Sequence, residues 1–164
     1  MKAVRFHEYG APDVLRYEDV RQPVPGAREV RIRVAATTFN GVDANIRAGN
    51  MRGPIPVVLP HIPGIDVAGT VDALGEGVDG VEVGEEVVGF LPMVADGAAA
   101  EYVLAPAEVL APAPKSVPLP DAAALPVVVW SMTSSAPADV TASLLRGPAV
   151  AMTWAPAFLA SCTA

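Results

Sequence analysis

The chain has 164 residues, 52% of them hydrophobic, and a net charge of −7. That length suffices for one domain with a sizeable core, and the apolar content excludes a wholly disordered chain. The charge is unevenly placed: residues 1–52 hold nine bases and six acids, while residues 53–114 hold ten acids and no base, which works against nucleic acid or an anionic membrane as partner and fits a solvated acidic face.

Lys2–Phe6 reads as a first or edge strand, Tyr9-Gly10-Ala11-Pro12 as a turn, and residues 14–18 as a second strand. Residues 21–27, with Pro23, Pro25 and Gly26, form a loop. Residues 29–38 give the clearest strand, with Val30, Ile32 and Val34 alternating with Arg31 and Arg33. Asn40-Gly41 ends it, and residues 42–48 predict a short helix stopped by Gly49. Four prolines between Arg52 and Pro63 make an extended, rigid connection. Strands follow at about 65–74, 86–92, 98–104 and 109–112, and residues 121–125 start a helix with Asp121 as N-cap. About seven short strands at this spacing predict a closed or nearly closed β-barrel. No basic start leads into an apolar run, so no signal peptide is expected and the expected compartment is the cytoplasm. The single cysteine, Cys162, permits no intrachain disulfide and no cysteine-based metal lobe.

The stretch 62–90 holds seven of the fourteen glycines. Within it, Gly75-Glu76-Gly77-Val78-Asp79-Gly80 fits GxGxxG, a dinucleotide-binding pattern. That pattern binds a pyrophosphate when a strand precedes it and a helix follows. Here strand-like alternation follows, and Glu76, Asp79, Glu82, Glu85 and Glu86 would repel a phosphate. A structural turn is expected instead.

PGIDVAGTV at 63–71, then LGEGVDGVEVGEEVVG at 74–89, resembles the N-terminal domain of the medium-chain dehydrogenase/reductase superfamily, in its zinc-free quinone oxidoreductase-like branch. The opening MKAVRFHEYGAPDVLRYEDV and the segment FNGVDANIRAG match as well. Glu85 stands where the family usually has Asp. The resemblance covers residues 1–127. It implies a mainly β fold with short helices, a GroES-like β-barrel, without a Rossmann domain. By this resemblance the activity is NADP(H)-dependent hydride transfer to a quinone or an α,β-unsaturated carbonyl, with a small-molecule substrate and a possible homo-oligomer.

Zinc alcohol dehydrogenases share this barrel and need about three Cys, His or carboxylate ligands. At the positions where they carry a Cys and a Gly-His-Glu, this chain has Asn40 and Gly64-Ile65-Asp66, so no metal is expected. The two histidines, His7 and His61, read as surface or hydrogen-bonding residues. Asp43 and Arg47 stand four apart on a predicted helix and can pair. In zinc-free relatives the Asn-x-x-Asp segment lies where the nicotinamide meets the substrate. Asn40 and Asp43 are therefore the candidate catalytic residues. Asn40 would orient a carbonyl or the cofactor's carboxamide through its amide, which also makes it the candidate cofactor contact, and Asp43 would anchor the loop. Asn50 replaces a tyrosine frequent in relatives. Asp66, between Ile65 and Val67, is expected to be partly buried in a structural role and to need a partner.

Composition changes after residue 127: residues 128–164 carry one glycine, both tryptophans and only two charged residues, Asp139 and Arg146. They offer no Gly-rich phosphate turn and read as a divergent or out-of-frame tail, expected to lack order. The uncharged run 147–164 reaches the minimum length of a membrane span, but Pro148 and Pro156 interrupt it. About 37 residues cannot supply a nucleotide domain of on the order of 100. These residues alone are therefore expected neither to bind NADP(H) tightly nor to turn over. The alternatives are a non-enzymatic barrel acting through protein contact, or a non-functional fragment.

Overall fold

The structure, a computed structural model, describes residues 1–127 and the two-residue strand Met152–Thr153. The expectations for the tail from residue 128, including the membrane reading of 147–164, otherwise lie outside the described residues.

Strands β1 (Lys2–Phe6) and β2 (Leu15–Asp19) form an antiparallel hairpin, with Lys2 opposite Asp19 and Phe6 opposite Leu15. The main sheet is built on β3 (Glu29–Thr37). It pairs with β4 (Asp66–Leu74) on one side and with β6 (Tyr102–Pro106) on the other. β5 (Glu86–Phe90) and β7 (Leu110–Pro112) extend the sheet beyond β4, giving the order β6-β3-β4-β5-β7. β8 (Met152–Thr153) pairs with the end of β3 at Ala36–Thr37. Every ladder among the described residues is antiparallel, so none of them forms a βαβ crossover unit.

The GroES-like, mainly β fold is as expected, but the ladder does not close. Among the described residues β6 and β7 do not pair with each other, and the β1–β2 hairpin attaches beside the sheet through bridges at Ala3–Ala100 and Phe6–His61 and through the Val4 N–H to Ala99 carbonyl and Glu101 N–H to Lys2 carbonyl bonds. Side chains close the interior instead. Val30, Ile32, Val67, Val71, Val87, Leu91, Val103 and Ala105 fill one face of the sheet.

Three other expectations are corrected. Val30 and Ile32 are buried as the alternation predicts and Val34 packs half-buried against them, but the register shift between Val34 and Ala36 turns Ala36 to the opposite face, beside Ala68. Residues 66–69 are buried on both faces, because the 3-10 turn Asp121–Ala124 covers Ala36 and Ala68 from the far side. That turn is capped by Pro120, with Asp121 inside its first turn. The strand expected at 98–104 begins at Tyr102, because the amides of Gly97, Ala98 and Ala99 bond to the carbonyls of Ile62, Gly64 and Pro63. That loop-to-loop pairing holds the segment 62–64, just before β4, in place.

The GxGxxG stretch is a turn between β4 and β5. Gly77 and Gly80 take φ of 72° and 78°, in the left-handed region that glycine tolerates. No helix follows it.

Burial predicts where the stability lies. Ile32→Ala should lower unfolding free energy by about 2–5 kcal/mol, the cost of a cavity at a fully buried site, whereas Val83→Ala, at a site 62% exposed, should stay within about 0.5 kcal/mol. Urea denaturation of the two variants checks the contrast.

Candidate functional site

The end of β3 and the start of β4 are neighbours in the sheet, and the candidate residues sit where they meet. After Thr37 the chain leaves the sheet through Thr38 and Phe39 and enters α1 (Gly41–Ala48) at its N-cap, Asn40. The Asp43 carboxylate folds back on this entry: its Oδ2 accepts the Asn40 N–H at 2.8 Å. The Asn40 side chain lies over the Asp43 amide in the reciprocal arrangement of a capping box, without a well-formed hydrogen bond. Gly49, with φ 81°, ends the helix as expected.

Asp43 is 1% exposed. Its second oxygen, Oδ1, accepts the Gly64 N–H at 2.9 Å, so one carboxylate ties the helix start to the end of the proline-rich connection. Gly64 has φ 103°, and a Cβ there would meet Thr37 Oγ1 at 2.8 Å and the Ala99 amide nitrogen at 3.0 Å. Only glycine lets the loop pass this close.

Asp66 is fully buried, more deeply than the sequence predicts. Its Oδ2 accepts the Thr38 hydroxyl at 2.5 Å and an Asn40 side-chain N–H at 2.6 Å. Its Oδ1 accepts the Val127 N–H at 2.8 Å. The Thr37 hydroxyl donates to the Asp66 carbonyl at 2.6 Å. Asp66 thus gathers the exit of β3, the helix cap and residue 127 around one carboxylate.

The pairing of Asp43 with Arg47 does not form. Asp43 is taken by backbone amides, and Arg47 reaches the Gly10 carbonyl through Nη1 at 2.6 Å, while Gly10 N–H donates back to the Arg47 carbonyl at 3.0 Å. The (i, i+4) spacing allows the pair, but the stronger demand is a buried carboxylate's need for amide donors. Arg47 instead docks the helix on the β1–β2 turn. His61 is buried rather than on the surface. Its ring meets Phe6 edge-on at 5.4 Å between centroids, and burial pushes its pKa down.

Sequence reasoning brought Asn40, Asp43 and Asp66 to notice, and all three converge. It missed Thr38, the Val127 amide and Phe39. Phe39 is 49% exposed directly before Asn40, an aromatic face beside an amide. The signal available was a large apolar residue at the end of a strand whose alternation had already finished. A cavity of about 560 Å³ elsewhere, walled in part by Arg5, Arg21, Asp96 and Tyr102, includes none of Asn40, Asp43 or Asp66, so it belongs to a different part of the surface.

The residues present do not suit a metal. Among the described residues no three His, Cys, Asp or Glu side chains gather, and both carboxylates at the site already hold hydrogen-bond donors. Neither do they suit a pyrophosphate, since the glycine turn carries acids and leads into no helix. What the arrangement offers is a partly exposed amide held on a buried polar frame, next to an aromatic ring.

Burial pushes the pKa of both Asp43 and Asp66 above the ordinary 3.8; their amide and hydroxyl donors oppose this only in part, and for Asp43 the neighbouring Asp66 charge adds to the rise. Both groups therefore bind a proton more tightly folded than unfolded. Their contribution to stability is complete below the unfolded pKa and is lost as pH rises through the folded pKa. Glu18, which Arg5 and His7 hold at about 2, works with the opposite sign in a lower window. A carbon-13 titration of the carboxyl groups should place the Asp43 and Asp66 midpoints above 3.8, and Asp66→Asn should flatten the fall of stability with pH across that range; midpoints below 3.8 would contradict the assignment.

The pattern of the alcohol dehydrogenase GroES-like domain matches residues 26–115. The chain is 42% identical to a quinone oxidoreductase of Lama guanicoe over 107 residues, 64% of this chain and 31% of that protein. It is 36% identical to a chloroplastic quinone-oxidoreductase homolog of Spinacia oleracea over 128 residues, 77% of this chain and 39% of that protein. It thus spans about a third of the length of these curated relatives. Among solved structures, an NAD-dependent alcohol dehydrogenase superposes with a TM-score of 0.73 at 35% identity, covering 80% of this chain and 46% of that one. A mycobacterial protein in complex with NADPH does so at 0.67 and 38%, covering 76% and 37%. Fold and a family pattern spanning more than half the sequence agree: the chain belongs to the alcohol dehydrogenase GroES-like domain family of the medium-chain dehydrogenase/reductase superfamily.

Proposed function

We propose that this domain is the substrate-facing part of an NADP(H)-dependent oxidoreductase that reduces quinones or α,β-unsaturated carbonyls without zinc. The reading rests on one observation: Asn40 is held part-exposed at the end of β3 by two buried carboxylates, in a family whose relatives here are quinone oxidoreductases. The dinucleotide, when bound, supplies the hydride. The domain's residues supply orientation. Asn40 positions a carbonyl or carboxamide through its amide, Phe39 offers a face against which a planar ring packs, and Asp43 keeps the helix start and the Gly64 loop fixed relative to each other. Such positioning reduces the entropy lost on reaching a reactive geometry.

The acidic glycine turn and the wholly antiparallel sheet support a second part of the proposal: the described residues do not hold the dinucleotide's phosphates. Those would be bound by a parallel-sheet unit outside them. Zinc independence rests on the donor set, with Asn40 and Ile65 where zinc relatives carry ligands. The cytoplasm remains the compartment in this reading; among the described residues no helix is long and apolar enough to cross a membrane.

Two measurements test the proposal. Fluorescence titration of the 164-residue chain with NADPH should show no binding in the micromolar range, and micromolar binding would overturn the division of labour. Joined to the nucleotide-binding part of a quinone oxidoreductase relative, residues 1–127 should support NADPH-dependent quinone reduction, and Asn40→Ala should lower kcat/KM by about tenfold, the worth of one well-placed hydrogen bond.

A further inference from the structure

Asp66 holds Asn40 with one oxygen and residue 127 with the other. Its Oδ2 accepts an Asn40 side-chain N–H at 2.6 Å together with the Thr38 hydroxyl, and its Oδ1 accepts the Val127 N–H at 2.8 Å. The chain reaches that last bond along the far side of the sheet. Val117, Leu119 and Leu125 pack against Ala36, Ala68, Ala122 and Ala123, and Pro126 and Val127 then turn helical. An N–H at the start of a helix has no acceptor within it, so the Val127 donor is available to the carboxylate. Val127 is also where the described run 1–127 leaves the domain.

The two oxygens are not independent, because they share one charge. Asp66 is fully buried, so that charge is met by these donors rather than by water. Burial pushes its pKa up, and the Val127 N–H is among the groups that hold it down. Without Val127, Oδ1 is a bare acceptor out of water. The carboxyl then takes a proton more readily, or turns to share its remaining donors. A proton weakens the charge-assisted bond to Asn40, and a turn lengthens it. Either way Asn40 is held less firmly. A displacement of residue 127 by about 1 Å is enough, since it takes the 2.8 Å contact out of hydrogen-bond range.

We infer that the backbone N–H of Val127 is a positioning group for Asn40, acting through Asp66, so that the peptide leading out of this domain sets how firmly the Asn40 amide is held. The inference rests on the proposed placement of Asn40 at the reacting groups and deepens it. In that reading the dinucleotide is held by a unit outside the described residues. The seating of that unit and the orientation of the substrate-side amide then depend on one carboxylate. A unit attached with residue 127 in place keeps Asn40 held, and one that draws residue 127 away releases it.

The test removes the Val127 N–H. Replacing the amide between Pro126 and Val127 by an ester, through ligation of a synthetic segment, deletes the donor and keeps the side chain. Val127→Pro deletes it genetically, early in a helix where proline is tolerated, and Val127→Ala keeps it. In the 164-residue chain labelled with nitrogen-15 and carbon-13, the ester and Val127→Pro should raise the Asp66 carboxyl midpoint by about one pH unit, the worth of a hydrogen bond to a charged group. They should also shift the Asn40 side-chain amide resonances, and Val127→Ala should do neither. An ester chain in which the Asp66 midpoint and the Asn40 amide stay unchanged overturns the inference. The functional arm uses residues 1–127 joined to the nucleotide-binding part of a quinone oxidoreductase relative. There Val127→Pro should lower kcat/KM by about fivefold alone and by less than about twofold on top of Asn40→Ala, since both act through one amide. Equal losses in the two backgrounds overturn the inference. If Asn40→Ala costs nothing although the ester moves the Asn40 amide, the placement of Asn40 at the reacting groups fails, and the inference falls with it. The ester arm stands even where Val127→Pro does not fold.

Discussion

A buried carboxylate with no cation beside it is the constraint around which this domain is arranged. Asp66 is fully removed from water and forms no ion pair among the described residues, so its charge is met by hydrogen bonds from Thr38, Asn40 and Val127. A carboxylate transferred to such a place without donors would be prohibitive. Each donor must therefore be where it is: Thr38 and Asn40 on the segment leaving β3, and Val127 far along the chain. Placing Asp66 at the head of the central strand β4 forces the exit of β3, the cap of α1 and the segment entering residue 127 to meet at one point. Asp43 repeats the device one layer out, joining the helix start to Gly64.

The consequence for chemistry is rigidity where flexibility would be expected. Residues 38–40 leave a strand and would ordinarily form a mobile loop. Here three of their polar groups point at carboxylates that cannot move. A site built this way orients a ligand rather than reacting with it, which suits a family in which the reducing power resides in a bound dinucleotide. Neither carboxylate is placed as a nucleophile or an exposed acid, because both are buried and engaged.

Much of the architecture was legible from residues alone. The Val30–Ile32 alternation located β3, Asn40-Gly41 and Gly49 bounded α1, and the acids following Gly75-Glu76-Gly77 separated a structural turn from a phosphate loop. What could not be read follows from long-range contacts. The bulge between Val34 and Ala36 turns Ala36 to the second face of the sheet, and the turn at Asp121–Ala124 buries that face of β4. Neither leaves a local mark in the sequence. At the site, Asn40, Asp43 and Asp66 stood out by residue type. The Asp43–Arg47 spacing pointed to a pair that amide donors from Asn40 and Gly64 displaced, and a backbone N–H such as that of Val127 carries no side-chain signal at all.

Native-state hydrogen exchange of three backbone amides, those of Asn40, Gly64 and Val127, tests most directly whether two buried carboxylates hold this site together. All three belong to loops or segment ends and would be open to solvent without those partners. Exchange far slower than in an unstructured chain at all three, with Asp43→Asn releasing Asn40 and Gly64 and Asp66→Asn releasing Val127, is the predicted result. Rates near those of free peptide in the unsubstituted chain would contradict it.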